Sequence, residues 1–181
     1  MRKNNITKLV TASLLAALTC IATMVIQVPS PMNGYVHLGD AFVILSGVIL
    51  GPLYGSAAAG IGSMFADILT GYTHYALGTL LIKALAACVA SILYYAITNH
   101  IKTKTSQYIG TILGGLGSGV IVTIGYFIFS SIFLDKGIAA ISSIPGNIIQ
   151  TVFGLIIATI LVPILMKIPN IRFMSYCSNK L

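Results

Sequence analysis

Long apolar runs, broken only by short clusters of Gly, Pro, Asn and His, occupy almost all of this 181-residue chain. A run of ~20 apolar residues is long enough to cross a bilayer as one helix, with its backbone N–H and C=O groups satisfied internally. The runs fall at residues 6–28, 38–52, 53–71, 76–98, 107–134 and 137–167. They predict an all-α integral membrane protein, a single transmembrane domain over 1–181 built as a bundle of six transmembrane helices. Charged residues make up only 7% of the chain, against roughly 25% in a soluble domain, so water is not its main solvent. The second and third runs are separated only by Gly51, Pro52 and Gly55. A tight turn is expected there, with one kinked helix as the alternative.

Arg2, Lys3 and Lys8 precede the first run. That run reaches full span length without a small-residue cleavage pattern, so it reads as a true span rather than a signal peptide. Its Cys20 is preceded by Leu18 and Thr19, a poor context for a lipid anchor. With an even number of spans, one side collects Arg2, Lys3, Lys8, Lys102, Lys104, Lys167, Arg172 and Lys180, while the opposite loops offer only Lys136. Both termini are therefore expected in the cytoplasm, with the protein multi-pass in the cell membrane. The +7 net charge is scattered over these loops, which argues against a nucleic-acid surface. Cysteines at 20, 88 and 177 form neither a disulfide framework nor a metal site.

Gly51, Gly55, Ala59, Ser63, Asp67 and Gly71 recur at every fourth position, a stripe along which another backbone can approach closely. Ala12 and Ala16 form a second small pair in the first helix. Internal packing explains both as well as a partner contact does. Gly114, Gly115, Gly117 and Gly119 in the fifth run lack the Lys-Ser/Thr ending of a phosphate loop and read as packing residues.

Polar residues placed on this topology gather toward the external side. Asp40 falls at the outer start of the second helix and Asp67 near the outer end of the third, while Lys83 lies seven residues, roughly 10 Å, into the fourth. Tyr35 and His37 lie in the loop after the first helix, His74 and Tyr75 between the third and fourth, and Asn147 and Gln150 in the sixth. A charge inside a bilayer costs ~2.5 to 3.5 kcal/mol on insertion scales, so it is paired or faces a cavity. Convergence of these groups suggests a site open to the outside that takes a small, polar, aromatic solute. Each has a plainer reading. Asp67 and Lys83, on consecutive helices, would neutralise one another. Asp40 would cap its helix, His74 would sit in an interfacial belt, and Asn147 would satisfy backbone groups freed at Pro145-Gly146.

Three segments carry a family resemblance: G-Y-V-H-L-G-D-A-F-V-I-L from Gly34, G-P-L-Y-G-S-A-A-A-G-I-G-S-M-F-A-D from Gly51, and P-G-N-I-I-Q from Pro145. With the A-x-x-x-A of Ala12 and Ala16, the chain resembles a substrate-binding S component of the energy-coupling factor (ECF) transporters, in the hydroxymethylpyrimidine or pyridoxine branch. The resemblance implies a vitamin-capturing subunit with no cofactor and no enzymatic activity. It further implies work with a coupling transmembrane protein, docked at Ala12 and Ala16, and with two cytoplasmic ATPases. The loop 29–37 would act as a lid over the ligand.

Two alternatives belong to other classes. An intramembrane aspartyl protease would use Asp40 and Asp67, since Gly39-Asp40 resembles its glycine-aspartate element, but such a dyad needs two carboxylates sharing a proton at one depth. A self-sufficient carrier or channel would transport without partners, and no inverted repeat supports it.

Overall fold

The computed structural model describes residues 2–25, 27–30, 34–101, 103, 105–169 and 171. Five helices are long and apolar enough to cross a membrane, spanning Ile6–Val25, Gly39–Leu69, Ala76–His100, Thr105–Phe133 and Gly137–Leu165. In order the elements are α1 (Arg2–Val25), β1 (Gln27–Ser30), β2 (Gly34–His37), α2 (Gly39–Leu69), α3 (Ala76–His100), α4 (Thr105–Ile128) and α5 (Ile144–Leu165). A π-helical turn, Phe129–Phe133, and a 3-10 turn, Gly137–Ser143, extend α4 and precede α5. The two strands β1 and β2 pair antiparallel, in register from Gln27 opposite His37 to Ser30 opposite Gly34.

The second and third apolar runs form one helical element that breaks at Gly51, whose φ of 79° and ψ of −178° lie outside the helical region. Only glycine adopts that φ at no steric cost. The break sits at Gly51 rather than after Pro52 because proline, lacking an N–H, is at home in the first turn of the helical arm that follows. A methyl group added to Gly55 would run into the carbonyl of Ser46 and the Cα of Gly47, so the chain folds back on itself there. Pro52 has no N–H to give Val48, four residues earlier, and the Tyr95 hydroxyl donates to that carbonyl instead.

α2 is the central element, packed by α1, α3 and α5, while α4 closes the bundle between α3 and α5. Small residues set these approaches, as packing within lipid requires. Gly47 lies on the backbone of Ala87 and Gly114 on that of Ala90, and Ala86, Ala87 and Ala90 are fully buried. The four-residue stripe faces inward at Gly55, Ala59, Ser63 and Asp67. The close backbone contact with α1, however, is made by Gly62, against Ala16. Ala12 is buried in a cluster with Leu15, Ile44, Leu45 and Tyr95. Ala12 is thus buried and Ala16 half-buried on the small face of α1 where Gly62 crosses it. Leu53, Leu77, Leu81 and Phe133 point outward, as a lipid-facing surface does.

Lys102, Lys104, Arg172, Cys177 and Lys180, with the side chains of Arg2 and Lys3, lie outside the described residues.

Candidate functional site

The start of α2 collects side chains from four other elements. Asp40 occupies the first turn, where a carboxylate is favoured by the helix dipole. It does not cap the helix: the capping position is Leu38, with no side-chain bond. One carboxylate oxygen of Asp40 forms an ion pair with Lys83 of α3, and the other accepts from Nε2 of Gln150 on α5 at 2.8 Å. Lys83 is wholly buried and Asp40 is 3% exposed. The expected Lys83–Asp67 pair is thus replaced by Lys83–Asp40, because the first arm of α2, and not the hairpin neighbour in sequence, sets its carboxylate opposite Lys83. Asp67 is buried near the end of α2.

Gln150 also reaches the hairpin. Its Oε1 accepts from the backbone N–H of His37 at 3.3 Å. Gly39 N–H in turn donates to His37 Nδ1 at 3.0 Å, so the imidazole is neutral and carries its proton on Nε2. Burial pushes the His37 pKa down to about 3, helped by the Lys83 ammonium and opposed by Asp40. Two glycines let these elements meet. A methyl at Gly154, one turn beyond Gln150, would strike Asp40 Cβ and the backbone of Ala41, and one at Gly39 would strike Thr23 Oγ1 and the His37 ring.

Around this network lies an aromatic rim. Lys83 Nζ stands 5.3 Å from the centre of the Tyr126 ring, whose hydroxyl donates to Thr79 Oγ1 at 3.0 Å. Tyr75 meets Tyr126 edge-on at 6.3 Å between ring centres, lies 6.0 Å from Phe129, and accepts a bond from Lys136 Nζ at 2.8 Å. His74 is exposed between Tyr72 and Tyr75, as an interfacial residue would be. Tyr35 belongs to β2, and its side chain falls outside the described residues.

Asn147 is half-buried, and its Nδ2 has no hydrogen-bond partner among the described residues. Thr151 Oγ1, one turn further along α5, and Thr23 Oγ1 of α1 are likewise buried without a partner. A buried donor left unbonded costs ~1 to 3 kcal/mol, so these atoms are where an acceptor-bearing solute would gain most. The sequence reading missed Thr151, Thr23 and Tyr126. Thr151 had a signal, its four-residue spacing from Asn147. Thr23 and Tyr126 had none, since only packing brings α1 and α4 to this place.

A family model described as "ECF-type riboflavin transporter, S component" matches residues 3–167. The chain belongs to the ECF-type S component family. S components are substrate-binding subunits of transporters rather than enzymes, and they work with a coupling membrane protein and ATPases. The chain is 33% identical over 138 residues to an uncharacterised protein of Pyrococcus woesei described as lying in a gap 3′ region, covering 76% of this chain and 86% of that one. A solved structure, "Structure and mechanism of the S component of a bacterial ECF transporter", superposes with a TM-score of 0.65 at 22% identity, covering 90% of this S component and 97% of that chain. That likeness establishes the fold. The five helices and the family together make this S component a multi-pass membrane protein.

Proposed function

We propose that this S component captures a small, flat, hydroxylated nitrogen heterocycle of the hydroxymethylpyrimidine or pyridoxine class at the external face of the cell membrane. It hands the ligand to a coupling protein and two cytoplasmic ATPases. The observation that carries the capture role is the family match over residues 3–167; the heterocycle class is drawn from the sequence resemblance and from the polar and aromatic groups at this end. In this reading the two arms of α2, folded back at Gly51, are separate passes, which gives six spans and places both termini in the cytoplasm. The hairpin end of the bundle is then external. Ligand contacts come from Asn147 and Thr151, whose buried donors await an acceptor, and from Tyr75 and Tyr126, whose rings can stack on a planar solute. Asp67, His74 and Tyr35 border the same end. The partner contact falls on α1, the least covered of the membrane helices. Ser13 and Ala17 are exposed there beside the half-buried Ala16.

Riboflavin is a second reading, favoured by the description of the matching family. It has the same chemistry on a larger ring system.

The test is calorimetric titration of the detergent-purified protein with pyridoxine, hydroxymethylpyrimidine, riboflavin, thiamine and pantothenate. Submicromolar binding, about −8 kcal/mol or better, is expected for one of the first three. Asn147→Leu and Asp67→Asn should each weaken it. Binding to none of the five would overturn the capture role, and unchanged affinity in both variants would remove these residues from the site.

A further inference from the structure

Gln150 is placed to bond two other elements at once. Its amide is fully buried on α5 and is used in both directions. The Asp40 carboxylate only accepts, so it fixes Nε2 toward itself, which leaves Oε1 pointing at the hairpin. Asp40 is itself held by Lys83. The result is a chain of bonds from α3 through α2 and α5 to the inner end of β2. It crosses 113 residues of sequence in its last link, from Gln150 to His37. A leucine at this position would fill the space in a lipid-embedded helix equally well. It could not make these two hydrogen bonds.

We propose that Gln150 is a positioning residue, an amide relay through which the buried Asp40–Lys83 pair seats the β1–β2 hairpin against α5. Its consequence for ligand retention rests on the capture function proposed above; the seating itself does not. The groups facing Gln150 are Asp40 from α2, Lys83 from α3 and His37 from β2. Thr23 of α1 and Tyr126 of α4 border them.

The first experiment needs no ligand. Amide hydrogen exchange on the purified protein, resolved to single residues, reads the N–H groups of His37 and Gly39. Gln150→Leu should speed exchange at these two amides by about tenfold, the effect of losing roughly one buried hydrogen bond, while amides of α3 keep their protection. Gln150→Glu separates a relay from simple space-filling. A protonated Glu side chain offers one donor and one acceptor, as the amide does, whereas an ionised one would face Asp40 with no proton to give. Compared with wild type at the same pH, Gln150→Glu should exchange like Gln150→Leu at pH 8 and approach wild type at pH 5. Unchanged exchange in Gln150→Leu, or Gln150→Glu rates that do not depend on pH relative to wild type, would overturn the relay.

The second experiment measures dissociation of whichever vitamin the titration above identifies, which Gln150→Leu should speed by about tenfold if hairpin seating retains the ligand. A wild type that binds no vitamin would count against the capture function and leave the exchange result standing. Altered exchange with unaltered dissociation would confine the relay to the hairpin and overturn its link to retention.

Discussion

The start of α2 and the break at its Gly51 are built on opposite principles. At the hairpin end four elements are tied by directed bonds: Lys83 to Asp40, Gln150 to Asp40 and to His37, and Gly39 to His37. At the break, around Gly51 and Pro52, the packing between elements is apolar. A cluster of Leu15, Ile49, Leu50, Tyr94, Tyr95 and Val162 fills the space, and one hydroxyl, that of Tyr95, answers the one carbonyl that proline orphans. Apolar packing suffices to hold helices together in a bundle of this kind. A cluster of buried charge does not improve on it, since replacing a buried ion pair by well-packed apolar residues is often neutral or stabilising. The ion pair buried at the start of α2 therefore marks a place where geometry, rather than stability, is under demand.

The contrast is broken most forcefully by removing one partner of the ion pair. Lys83→Met leaves Asp40 buried without its cation and should cost about 3 to 5 kcal/mol, read as a large drop in the thermal unfolding midpoint in detergent. Asp40→Asn added to it should restore most of that loss. A double variant as unstable as the single would show the lysine to be needed for packing rather than for charge. At the apolar end, Tyr95→Phe keeps the ring and leaves Val48 unanswered, with an expected loss of ~1 to 3 kcal/mol. A neutral outcome would mean that the break at Gly51 relaxes to satisfy itself. Gly62→Ala forces α1 away from α2 at Ala16 and should cost a comparable ~1 to 3 kcal/mol of overpacking. Ala12→Leu should destabilise the bundle as well, which makes it a poor probe of partner docking; full stability would return that face to the docking hypothesis.

The last effect, spread over several pH units, is a pH dependence at the polar end. His37 titrates at about 3 in the folded chain, against an ordinary 6.5. The unfolded chain thus binds a proton between those values that the folded one refuses. Stability should fall as pH drops from about 6.5 toward 3 and stay flat above that window. His37→Gln should remove this slope. If wild type and variant show the same slope, another group controls it.

What could be read from the residues alone was the class of molecule and the neighbourhood of the site. Apolar runs of bilayer length report on the solvent and need no knowledge of contacts, and scarce polar residues stand out against them. Asp40, Lys83, Gln150 and His37 were all legible as candidates for this reason, and Asn147 with them. Their partnerships were not. Nearness in sequence suggested Asp67 for Lys83, and a helix start suggested capping for Asp40, whereas the bond chosen depends on which arm of α2 faces α3. Small residues such as Ala12 and Ala16 likewise permit close approach without saying whose. Sequence determined that the chain lives in lipid and where its few polar groups lie, because hydropathy is a property of each residue. Only the tertiary structure decided which polar groups meet, because pairing depends on helix rotation and crossing, and these are set by glycines and alanines on every face at once.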